Sequence, residues 1–201
     1  VSLAVVATVF ALIVPAELPD KTFVATLVLS TRYRSAPVFV GAALGLVVQA
    51  AIAVAAGSAV AALPSTPVHA VSAAIFAVGA VLMFRSIEHP DAEEQTVEKE
   101  LSHAPAHPSP TRVVVTSFVI LFLAEWGDLT QLLTASLSAK YDEPAAVFLG
   151  STLGLVFVAG VAVTGGKAML RVLPLQWIRR LAAIAFAVVA VLTALEAAGV
   201  L

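Results

Sequence analysis

The 201-residue sequence contains no cysteine, which excludes disulfides, thiolate metal sites and thiol redox chemistry. Charge is scarce as well. Asp, Glu, Lys and Arg make up 12% of the chain against 60% hydrophobic residues, and mean hydropathy is +1.01. That balance excludes an ordinary soluble domain and points to an all-α integral membrane protein. The formal net charge of −2 gives no basic excess for nucleic acid. No His-Glu-x-x-His and no serine–histidine constellation is present, so nothing supports metal-dependent or serine hydrolysis. The first apolar segment has no basic residues before it and is expected to be retained, not cleaved as a signal peptide.

What remains is six apolar stretches. A membrane-spanning helix needs about 20 apolar residues. Spans are predicted at about 3–31 (interrupted by Pro15 and Pro19), 37–63, 68–84, 113–139, 145–165 and 177–198. Between the third and fourth lies a polar stretch. Residues 86–110 hold six acidic residues and one lysine, then a run of His, Pro, Ser and Ala. Three of the four histidines (His89, His103, His107) fall here, and a solvated linker explains them better than a metal site. The chain thus divides into a first repeat (1–87), an acidic linker (88–110) and a second repeat (111–201).

Basic residues set the orientation. Arg32, Arg34, Arg85, Lys99, Arg112, Lys167, Arg171, Arg179 and Arg180 fall in three loops on one side of the membrane, and these are nine of the eleven Lys and Arg. The positive-inside rule places those loops, the central one included, in the cytoplasm and both termini outside.

The two halves repeat. At an offset of 108, Glu17, Asp20, Thr22, Thr26, Ser30 and Tyr33 match Glu125, Asp128, Thr130, Thr134, Ser138 and Tyr141. At 109, residues 38–46 match 147–155, including a Gly-x-x-x-Gly pattern in each (Gly41/Gly45 and Gly150/Gly154). At 110, residues 76–82 match 186–192. Three spans is an odd number, so the second copy crosses in the opposite sense. Two inverted three-helix repeats, with a site near the midplane, are predicted. Glu125 lies 13 residues from Arg112 and 15 from Lys140, roughly 20 Å from either end of its span.

Carboxylates at that depth are costly and are usually functional. Glu17, Asp20, Glu125 and Asp128 are the predicted metal ligands, brought together by the antiparallel crossing of the first and fourth spans. Thr22, Thr130 and Gln131 can add neutral oxygens. Such a donor set suits Ca²⁺, Mn²⁺ or Mg²⁺. Crowded carboxylates away from water need counter-charge, so an empty site holds protons and a divalent cation expels them. That gives exchange of metal for protons, with no resident cofactor. Pro19 and Gly127 share one motif position, and both weaken a helix. A break is therefore predicted at each motif, with the outer Thr and Ser residues structural. Lys21, four residues after Glu17, is expected to tune or gate the first motif; its counterpart is Leu129. Gln49 is read equally as a ligand or as an interhelical hydrogen bond. Trp126 is read equally as a wall of the site or as packing.

The doubled motif resembles Glu-x-Gly-Asp-(Lys/Arg)-(Thr/Ser), the mark of the Gdt-type cation/proton exchangers that include transmembrane protein 165, within the lysine-exporter superfamily. The resemblance covers nearly the whole chain, with Pro19 and Leu129 as departures from the motif. It implies Mn²⁺ and Ca²⁺ transport against protons and, for bacterial members, Mn²⁺ efflux across the inner membrane. By position it implies Glu17, Asp20, Glu125 and Asp128 as ion-binding residues, with Thr22 and Thr130 in support. The expected protein is a multi-pass antiporter of the inner membrane and not an enzyme. Two alternatives stand beside it. Superfamily analogy allows export of a small organic cation. Asp20 with Gly127-Asp128 can be read as an intramembrane aspartyl protease pair, which leaves Glu17, Glu125 and the repeat unexplained.

Overall fold

A computed structural model describes residues 1–18, 20–61, 64–85, 108–172 and 175–200. The side chains of Lys21, Ser65, Met83, 166–172, 175–179 and Leu181 are outside the described set. The predicted linker therefore falls outside it up to residue 107, together with His89, His103, His107 and Lys99. So do Pro19 and the side chains of Lys167, Arg171, Trp177 and Arg179.

The described residues form helices and no strands. In order they are α1 (Leu3–Glu17), α2 (Lys21–Arg32), α3 (Ser35–Ala61), α4 (Ser65–Arg85), α5 (Pro110–Ala124), α6 (Leu129–Tyr141), α7 (Pro144–Val172) and α8 (Leu175–Ala197). The first and fourth predicted spans are each two helices, not one. The axes bend by 67° between α1 and α2 and by 70° between α5 and α6. By length and composition α3 and α7 can cross a membrane, and four spans result if each bent pair counts as one. The expectation of six also counts α4 and α8, which are apolar over the shorter stretches Thr66–Leu82 and Ala182–Ala197.

Outward faces are apolar as well as the core. Leu44, Val48, Ile52, Leu149, Leu153 and Phe157 are exposed on α3 and α7. An apolar outer surface is what lipid demands and water does not.

The halves pack through matched contacts. α3 lies against α5, and α7 lies against α1. A Cβ added at Gly41 would sit 2.3 Å from the Val114 carbonyl oxygen. One added at Gly150 would sit 2.7 Å from the carbonyl oxygen of Val6, the counterpart of Val114. The two Gly-x-x-x-Gly patterns thus let each long helix meet the first half-helix of the other repeat, backbone to backbone. α4 and α8 pair with each other. Their equivalent residues Phe76 and Phe186 meet edge to face, ring centroids 6.4 Å apart.

Candidate metal centre

The two helix breaks meet at the centre of this packing. Each is built the same way. A glutamate ends the first half-helix: Glu17 is the last residue of α1, and Glu125 caps α5. An aspartate opens the second: Asp20 and Asp128 are the N-caps of α2 and α6. In both, the aspartate N–H donates to the carbonyl of the glutamate three residues back, at 3.1 Å. Neither aspartate carboxylate accepts a hydrogen bond from its own helix's first turn.

The breaks are joined crosswise. Thr22 Oγ1 donates to Glu125 Oε1, and Thr130 Oγ1 donates to Glu17 Oε2 at 3.1 Å. Each hydroxyl thus serves the carboxylate of the other half. Both glutamates are sealed from solvent, with exposures of 0% and 2%. Carboxylate oxygens of Glu17, Asp20 and Glu125 all lie within 4.8 Å of one another. Three negative charges so close repel by about 3.5 kcal/mol per pair at an effective dielectric constant of about 20. Glu17 Oε1 is buried and accepts no hydrogen bond among the described residues. A buried acceptor without a donor, amid carboxylates and hydroxyls, fits a hard divalent cation. The group contains neither nitrogen nor sulfur donors.

The fourth predicted ligand is nearby, its charge repelling that of Glu17. Asp128 lies outside the three-carboxylate group. It lines a cleft with Gly127, Leu129, Leu132 and the α4 residues Val71 and Val78. The two copies of the motif are therefore placed unequally.

The second break is tied by an amide chain. Gly127 takes a left-handed conformation, with φ of +74°, and its N–H donates to Gln131 Oε1 at 2.7 Å. Gln131 Nε2 donates to Gln49 Oε1 at 2.6 Å, and Gln49 Nε2 donates to the Phe122 carbonyl. That carbonyl is freed by the break, because the Trp126 N–H bonds to Leu123 instead, at 3.2 Å. Gln49 is thus an interhelical hydrogen-bonding residue in this structure. With Glu125, Thr130, Gln131 and Thr134, Gln49 lines a cavity of about 10 Å³, room for about one water molecule.

Other side chains have structural duties. Thr26 Oγ1 donates to the Thr22 carbonyl at 2.8 Å, and Ser138 Oγ donates to the Val54 carbonyl of α3 at 3.1 Å. Trp126 does not wall the site. It is 61% exposed and packs on Phe122, with centroids 5.5 Å apart. The Lys21 side chain, expected to tune the first motif, is not among the described ones. What the spacing alone did not show is the link between Gln49 and Gln131. A signal was present: at the repeat offsets their counterparts are Val158 and Phe23, two paired exchanges of amide for apolar side chain.

Comparison with known proteins agrees with the motif. The model of the family described as "Divalent cation/proton antiporter GDT1" matches residues 5–91 and 113–200, one stretch in each half. A GDT1-like protein of Synechocystis is 32% identical over 165 residues, covering 78% of this chain and 80% of that protein. A Vibrio cholerae protein named "Putative manganese exporter" is 40% identical over 81 residues, 40% of each chain. Protein PAM71 of Arabidopsis thaliana chloroplasts is 27% identical over 94% of this chain, which spans 56% of its length. No solved structure matches the chain.

Proposed function

Because the chain belongs to the GDT1 family of divalent cation/proton antiporters, we propose that it moves Mn²⁺ or Ca²⁺ out of the cell in exchange for protons. Mn²⁺ efflux is the leading reading, supported by the name of the Vibrio cholerae relative. The observation that carries the site assignment is the crosswise pair of hydroxyl-to-carboxylate bonds around Glu17, Asp20 and Glu125. These three residues hold the transported ion, with Thr22 and Thr130 orienting the two glutamates. Asp128 joins them at another stage of the cycle.

The remaining elements of the reading follow from the sequence. Six spans form two inverted three-helix repeats, 1–87 and 111–201, joined by the linker of 88–110. The matched contacts of α3 with α5 and of α7 with α1 support that relation. The protein sits in the inner membrane with its central loop in the cytoplasm and both termini outside. Proton coupling arises because cation and protons compete for one set of carboxylates. Oxygen donors without sulfur or nitrogen favour an inorganic dication over a small organic cation.

The test is transport into proteoliposomes that contain a pH dye. Inward Mn²⁺ should drive proton release from the lumen, and Glu125→Gln should abolish it. Absence of metal-dependent proton movement in the unmodified protein, under any gradient, overturns the exchanger reading. Normal exchange in Glu125→Gln overturns the site.

A further inference from the structure

The two breaks carry the same motif and share the crosswise threonine bonds, yet the positions beside them differ in kind. At the second break three groups are joined by directional bonds: the Phe122 carbonyl, Gln49 and Gln131. Their repeat counterparts are Val14, Val158 and Phe23. Phe23 and Val158 are buried in one apolar cluster with Leu27 and Ala162, and Val14 packs against it. The freed carbonyl of α5 needs Gln49, because its own ladder no longer reaches it. The equivalent carbonyl of α1 does not, since the Leu18 N–H bonds to Val14 at 3.0 Å. Hydrogen bonds hold one geometry, whereas apolar contacts tolerate sliding.

We infer that Gln49 is a positioning residue for ion exchange: through Gln131 it pins the second break in its ion-binding shape and leaves the first break as the part that moves. The inference rests on the exchange reading above. Gln49 extends from α3, in the first half, to a backbone carbonyl in the second. It therefore fixes Glu125 and Thr130 relative to the long helix that packs on α5. The one-water cavity between Gln49, Glu125 and Thr134 lies in that fixed region. Loss of the pin lets the second motif sample shapes that bind the ion poorly. Apparent affinity then falls by the fraction of time spent in them.

Two symmetry exchanges test this in the full chain in proteoliposomes, with Mn²⁺ as substrate. The pair Gln49→Val with Gln131→Phe gives the second break the apolar support of the first and keeps the core filled. It should raise KM for Mn²⁺ about tenfold, with a smaller change in maximal rate. The pair Phe23→Gln with Val158→Gln gives the first break the amide support of the second. It should lower maximal rate about tenfold with KM little changed. Unaltered KM in the first pair, or an unaltered maximal rate in the second, overturns the inference. Hydrogen exchange separates its failure from failure of the transport reading. The segment 122–131 should exchange at least several-fold faster in the Gln49→Val pair than in the unmodified protein, whatever ion is carried. Equal exchange there overturns the pin even if the protein transports normally. No exchange of metal for protons in the unmodified protein overturns the transport reading alone.

Discussion

The hydroxyl of Thr22 donates to the carboxylate of Glu125, 103 residues further along the chain. Its counterpart Thr130 returns the bond to Glu17. Each glutamate thus takes a hydrogen bond from the other half of the chain. The carboxylate group of Glu17, Asp20 and Glu125 draws on both halves of the chain.

Removing one of these donors should weaken ion binding without emptying the site. A hydrogen bond to a charged group contributes about 1.5 kcal/mol or more, which is about tenfold in affinity. Thr22→Val and Thr130→Val should each raise the apparent Kd for Mn²⁺ by about that factor. Thr→Ser at either position keeps the donor and should restore most of it. Calorimetric titration of the purified protein reads both.

The aspartates should separate in the same experiment. Asp20 belongs to the three-carboxylate group and Asp128 does not. Asp20→Asn should therefore cost roughly tenfold or more in Mn²⁺ affinity, and Asp128→Asn roughly threefold or less. Transport should be lost in both, because the full cycle needs both. Equal losses of affinity would show that the two motifs bind the ion equivalently.

The close crossings predict where methyl groups are not tolerated. A Cβ at Gly57 would meet the Ala135 carbonyl oxygen at 2.1 Å, and one at Gly41 the Val114 carbonyl oxygen at 2.3 Å. Backbone cannot step aside as a side chain can. Gly57→Ala and Gly41→Ala should each cost about 1–3 kcal/mol and lower the melting temperature by several degrees. Among the described residues a Cβ at Gly160 meets only the Phe39 ring, at 3.6 Å, an ordinary contact, and Gly160→Ala should melt with the unmodified protein.

Proton competition gives a sign for pH. If the ion displaces protons from carboxylates, raising pH removes a competitor and tightens binding. Mn²⁺ affinity should rise by up to about tenfold per pH unit for each proton displaced. It should level off once the empty site no longer holds protons. Glu17→Gln removes one exchangeable group and should flatten the slope.

Much of this was legible in the residues. The doubled Glu and Asp and the paired Pro19 and Gly127 gave the two motifs and the breaks. The Gly-x-x-x-Gly patterns gave close crossings with the motif helices, but not that each long helix meets the motif helix of the other half. The rotation of each half-helix after its break could not be read, because a 67° or 70° bend resets which residues share a face. For that reason Trp126, beside Glu125 in sequence, points outward. The Gln49–Gln131 bond was hidden for a different reason. It joins residues of different halves across α3 and α6, and only the comparison of each with its own repeat partner exposes the pair.

The central claim is that one buried cluster of carboxylates binds either a divalent cation or protons. The most direct measurement counts both on the same sample: Mn²⁺ bound to the purified protein in weak buffer, and protons released as it binds. Binding should release protons in proportion to bound metal, and Glu17→Gln with Glu125→Gln should abolish both. Mn²⁺ binding with no proton release, or binding and release that persist in that double variant, would contradict the account.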